Sequence, residues 1–271
     1  MEQRKPFIFI DWDDTILPST YLSSLDSIEI EKIRLSNKYK NLIDYSNKTG
    51  DKRYVSINRI DDLARTLLSI INMYGRIYFV TNALLVWFYG TAKFYLPRTL
   101  EYILSTNIEV ISAQEENYKR VSLSGIENND TYTYWKYLTF KRILERDRLM
   151  HDGNIMSIGD GIYEYNAIGR IQGENLQYSV KRIKFKTFPT VDKLINELTM
   201  LTNDFKRIIT DKKKIFSYEK DDTKKIEKFE DQTSNFLENV SKGYIGGMIK
   251  RENIISAKAY NEKIDLFWYC Y

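Results

Sequence analysis

Four apolar residues, Phe7-Ile8-Phe9-Ile10, run directly into Asp11-Trp12-Asp13-Asp14-Thr15. A run this short, built of Ile and Phe, reads as a buried strand. Its tip carries three carboxylates within four positions. Such acids repel one another unless something neutralises them. A metal ion, a phosphate chemistry that needs a carboxylate nucleophile, or both, account for the arrangement.

The pattern recurs along the chain. Further strands are expected at Arg76 to Thr81, Ile108 to Ser112, Asn154 to Ile158 (followed by Gly159-Asp160-Gly161) and Gln177 to Phe185. Helical periods fall between them: Ser27 to Tyr45, Ile60 to Tyr74 with Gly75 as its stop, Leu84 to Leu96 closed by Pro97, Tyr134 to Glu145, and Thr190 to Thr202. Asn47 to Lys52 reads as a polar loop and residues 114–131 as polar and irregular. Strands alternating with helices argue for a Rossmann-like three-layer α/β/α fold with a mostly parallel central sheet. Ligands of such sheets bind at the carboxyl ends of the strands. Asp11, Asp13, Thr81 and Asp160 all fall there.

Composition narrows the classes. With 271 residues, 43% of them hydrophobic, a sizeable core is expected and global disorder is not. A net charge of +4 does not indicate nucleic-acid binding. The single cysteine, Cys270, excludes an intrachain disulfide and a cysteine metal cluster. No apolar stretch approaches the roughly 20 residues of a membrane span. Met1 to Pro6 leads straight into the first strand, so no signal peptide is expected, and the reading is a soluble, cytoplasmic protein without a membrane partner. The expected organisation is a core domain over residues 1–202, with a small helical cap insertion at about 19–59, followed by a charged segment and helical appendage over 203–271.

Taken together, these residues resemble the haloacid dehalogenase-like (HAD) superfamily in its phosphatase-type form. Asp11-Trp12-Asp13-Asp14-Thr15 looks like its first motif, Thr81 its second, Lys136 or Lys141 its third, and Gly159-Asp160 with Glu164 its fourth. The wording around Val80-Thr81-Asn82-Ala83 and Tyr134-Trp135-Lys136 also resembles a little-characterised eukaryotic branch, which favours Lys136. The resemblance extends weakly to about residue 200 and does not reach the tail. It implies a Mg²⁺ ion held by Asp11, the backbone carbonyl of Asp13, and Asp160, with Glu164 bound directly or through a water.

The chemistry then divides among the acids. Asp11 is the expected nucleophile, forming an aspartyl-phosphate. Asp13, pointed to the same side by an extended backbone, protonates the leaving alkoxide and later activates water. Thr81 and Asn82 donate to phosphoryl oxygens, and the lysine neutralises charge on the transferred group. The substrate is then a phosphorylated small molecule or phosphoprotein, with nucleic acid not indicated. An acid at position 13 sets the chain apart from simple dehalogenases. Two other readings use the same residues: a phosphotransferase or phosphomutase, and a catalytically silent binding protein. Asp14 reads as structural or exposed, His151 as a surface residue, Cys270 as inert, and the lysine runs near 212 and 224 as solvated.

Overall fold

The computed structural model describes residues 5–219, apart from 26, 37, 124–130, 148–152, 176 and 214. His151, Cys270 and all but the first part of the expected appendage lie outside the described residues. Six strands form one sheet: β1 (Phe7–Ile10), β2 (Arg76–Thr81), β3 (Glu109–Ser112), β4 (Asn154–Gly159), β5 (Ser179–Lys184) and β6 (Ile215–Glu219). Their order is β3-β2-β1-β4-β5-β6, and every neighbouring pair is parallel. The Rossmann-like α/β/α reading therefore holds, with the expected alternation of strand and helix.

Side-chain parity along the central strands builds two cores. In β1, Ile8 and Ile10 face one layer, while Phe7 and Phe9 face the other. The register Ile8↔Ile77 and Ile8↔Met156 continues the first face, and Tyr78 and Val80 continue the second. Every residue of β1 is buried, as a strand covered on both faces requires.

On the first face, α4 (Val55–Tyr74) lays Ile57, Ile60, Ala64, Leu67, Leu68 and Ile71 into the core at helical spacing. Beside it stand α5 (Leu85–Tyr95), α6 (Pro97–Ser105) and α10 (Val191–Thr210). The second face carries α7 (Ala113–Leu123), α8 (Thr131–Arg146) and α9 (Ile162–Glu174). The insertion after β1 holds three short helices, α1 (Ser19–Ser23), α2 (Ser27–Leu35) and α3 (Leu42–Thr49), and a 3₁₀ turn at Lys52–Tyr54. Ile30, Ile33, Leu42 and Tyr54 join the first-face core, so this small helical insertion is fused to it.

Several local expectations shift. The single helix expected over Ser27 to Tyr45 is two helices, and the loop expected at Asn47 to Lys52 begins inside α3. Gly50 ends that helix with φ +72°, a conformation that costs a residue with a Cβ. Gly75 stops α4 for a different reason. Its backbone is extended, and a Cβ there would lie 2.3 Å from Ile8 Cδ1. Pro97 both follows α5 and opens α6, because its missing N–H is not needed in a first turn. Residues 114–123, expected to be irregular, are helical as part of α7. The end of the core expected at 202 falls inside α10, which continues to Thr210 and leads to β6. Among the described residues no helix is long and apolar enough to cross a membrane.

Candidate active site

The strand order reverses between β1 and β4, and in open α/β sheets such a switch point leaves a crevice at the carboxyl ends. Four of the expected site residues, Asp11, Lys136, Asp160 and Glu164, come together there. Asp11 leaves β1 with its N–H donated to the Ile158 carbonyl at 2.9 Å, one step beyond the paired strands. Its parity is that of Phe7 and Phe9, so it faces the layer of α8 and α9. From α8, Lys136 Nζ comes to 2.8 Å from Asp11 Oδ1 and also donates to Glu164 Oε1 on α9. This ammonium is 1% exposed. Lys141, five residues on, lies elsewhere, half-exposed and paired with Glu174 at 2.8 Å. Lys136 is therefore the lysine that the structure brings to Asp11.

Glu164 lies under the turn after β4. A Cβ on Gly159 would fall 2.5 Å from Glu164 Oε2, and one on Gly161 would fall 3.1 Å from it. Two glycines thus let the carboxyl reach Lys136 past the backbone. Asp160 sits between them, beside Thr15. The Thr15 hydroxyl accepts from Asp160 N–H at 3.0 Å and lies 3.4 Å from Asp160 Oδ1. The Asp160 carbonyl accepts from Lys184 Nζ and, at 2.8 Å, from the Thr187 hydroxyl. Motif residues about 150 positions apart are thereby tied together through one buried threonine.

Asp13 does not follow Asp11. The expectation of a shared side assumed an extended chain, but the Trp12 carbonyl accepts from the N–H groups of Thr15, Ile16 and Leu17 and closes a turn. Asp13 is aimed at the other layer, where Trp87 Nε1 of α5 donates to its Oδ1 at 2.9 Å. Asp14 is buried in a left-handed conformation (φ +51°) and accepts from Thr20 N–H at 2.8 Å and from the Ser19 and Thr20 hydroxyls. It is structural, fastening the start of α1 to the turn.

Thr81 ends β2, 1% exposed, and its hydroxyl accepts from Ala83 N–H at 3.0 Å, which leaves its own proton to donate. The Asn82 side-chain amide points at the Tyr132 carbonyl at 3.4 Å.

Electrostatics in this buried cluster are severe. Burial pushes Asp11 up to about 8, with Glu164 adding to the rise and Lys136 opposing it. Burial also raises Asp160 well above the usual carboxylate range, reinforced by Glu164 and Asp11. Glu164 is pushed up by burial too, but the Lys136 charge outweighs this and holds it below its ordinary value. Lys136 feels burial in the opposite sense, yet the charges of Asp11 and Glu164 keep it firmly protonated. Asp13 is raised by burial to about 6.

Among the described residues, no three His, Cys, Asp or Glu side chains are gathered to hold a metal as they stand. The donor set nevertheless suits a hard cation. All its atoms are oxygens, its acids outnumber its one buried ammonium, and Glu164 Oε2 is buried with no hydrogen-bond partner among the described residues.

Thr15, Trp87 and Lys184 were not assigned roles from sequence. Thr15 stood inside the motif, and Lys184 ends a strand at the sheet's functional edge. Trp87 had only the general signal that a partly buried indole N–H seeks an acceptor.

No family model matches the chain, and no curated protein or solved structure matches it either.

Proposed function

We propose that this chain is a Mg²⁺-dependent phosphomonoester hydrolase of the haloacid dehalogenase-like kind, working through an aspartyl-phosphate on Asp11. The observation that carries the reading is the buried Lys136 ammonium shared by Asp11 and Glu164 beside Asp160, at the switch point of a parallel sheet. Four residues from three distant stretches of the chain converge where phosphoryl chemistry needs a nucleophile, a fixed cation and further acids.

In this reading Asp11 attacks phosphorus, and Lys136 offsets charge on the transferred group. Asp13 gives its proton to the departing alkoxide, then takes one from the water that hydrolyses the aspartyl-phosphate. A carboxyl held near 6 can do both close to neutral pH. Thr81 donates its hydroxyl proton to a phosphoryl oxygen. Asp11, Asp160, the Asp13 carbonyl and Glu164 would hold the cation, which supplies charge neutralisation between carboxylate and phosphate.

Phosphate release should be measured over sugar phosphates, nucleotides, phosphopeptides, 3′-phosphorylated DNA and an aryl phosphate, with and without Mg²⁺. The expected outcome is Mg²⁺-dependent release that drops at least ~10³-fold in Asp11→Asn, measured at a temperature where circular dichroism shows that variant folded. Absence of release across the panel by folded, metal-supplied protein would sink the proposal. Adding an alcohol acceptor separates hydrolysis from transfer, because a transferase would form the new ester faster than free phosphate.

A further inference from the structure

Two indole N–H groups lace the turn after β1 to α5, in opposite directions. Trp12 Nε1 donates to the Thr91 hydroxyl at 3.1 Å, and Trp87 Nε1 donates to Asp13 Oδ1 at 2.9 Å. Residues 12 and 13 are consecutive, and 87 and 91 are one helical turn apart. The Thr91 hydroxyl in turn donates toward the Trp87 carbonyl at 2.7 Å. Between them Phe88, fully buried, packs on Trp12 at 4.2 Å and on Phe79 at 5.4 Å between ring centroids. The third residue of α5 is thus held in fixed register against the turn. An indole is a donor only, and on a packed helix it has little freedom to swing.

We propose that Trp87 is the positioning residue for the acid/base Asp13. By engaging Oδ1 it fixes the carboxyl rotamer, so that the transferable proton is carried on Oδ2 and presented to the leaving oxygen. This rests on the phosphatase reading above. As the Asp11 oxygen–phosphorus bond forms and the ester P–O bond breaks, the Oδ2 proton passes to the alkoxide and alcohol departs. Asp13 then takes a proton from water as that water's oxygen attacks phosphorus and Asp11 is regenerated. The indole is neither consumed nor protonated. Its work falls on the step that needs an acid, so its value depends on the leaving group.

Trp87→Phe keeps a ring on the helix and deletes only the N–H. With Mg²⁺ present, kcat/KM for 2-glycerophosphate, an alkyl ester that requires protonation, should fall about tenfold or more. For 4-nitrophenyl phosphate, whose leaving group departs without a proton, it should fall less than about threefold. A second readout does not use turnover. In a ¹H–¹⁵N spectrum the Trp87 indole signal, assigned by its loss in Trp87→Phe, should move upfield in Asp13→Asn as its charged acceptor disappears. Equal losses on both esters, or an indole signal unmoved by Asp13→Asn, would overturn the positioning role and leave the phosphatase reading standing. Wild-type protein that hydrolyses neither ester, nor any other substrate of the panel above, would overturn both.

Discussion

Lys136 is a buried ammonium shared by two buried carboxylates, so its removal matters for stability whatever its chemistry. Removing it strands Asp11 and Glu164 together in a site that already penalises charge. Breaking such a group typically costs about 3–5 kcal/mol. Lys136→Met should therefore lower stability by about that amount in urea denaturation. Lys141→Ala, which breaks a half-exposed pair with Glu174, should cost less than about 1 kcal/mol. Similar losses in the two variants would contradict the burial argument. Position 136 was distinguishable from 141 in the sequence only by resemblance. Their different fates follow from helix geometry, since five residues on α8 turn one lysine to the sheet and the other to the surface.

Two elements are held by acids that sequence reading passed over. The first turn of α6 has no cap of its own, and Asp61 on α4 supplies one. Its carboxyl accepts from Thr99 N–H at 2.8 Å, from the Thr99 hydroxyl at 2.7 Å and from Arg98 N–H at 3.0 Å. Asp61→Ala should lose about 1–3 kcal/mol in chemical denaturation, whereas Asp62→Ala, one residue on and exposed, should be nearly neutral. At the opposite end of the sheet from the site, Asp147 closes α8 against β2. It accepts from Arg146 Nε at 2.7 Å and from the Tyr78 hydroxyl, and pairs with Arg76 at 3.0 Å. Arg146, followed by Tyr78 and Arg76, holds its pKa down to about 2. A depressed carboxylate pKa stabilises the fold above the ordinary value near 3.8 and loses that effect as pH falls through the folded value. The stability difference between wild type and Asp147→Asn should therefore be full at pH 5 and shrink toward pH 2. A difference flat over that range would refute the linkage.

For the whole molecule, the decisive boundary lies near residue 220. Phe205 and Ile208 are fully buried in the second half of α10, Lys181 of β5 donates to the Asp211 carbonyl at 2.7 Å, and β6 pairs with β5. A chain ended after Thr202 loses two buried apolar side chains and a strand, on the order of 5 kcal/mol or more, and should fail to unfold cooperatively in urea. A chain ended after Lys220 should keep one cooperative transition, since residues 1–220 form a compact unit by themselves. If the two truncations behave alike, this boundary is misplaced. By itself the sequence determined the parallel α/β architecture and the strand ends that carry Asp11, Thr81 and Asp160. Strand periodicity and the placement of acids after apolar runs are local signals. Only the tertiary structure decided that Asp13 is held by Trp87 and not beside Lys136, that Thr15 fastens Asp160, and that Lys136 is the lysine buried against Asp11. Those contacts join segments tens of residues apart, and their direction depends on a backbone turn and on packing against two different helical layers, which no local spacing records.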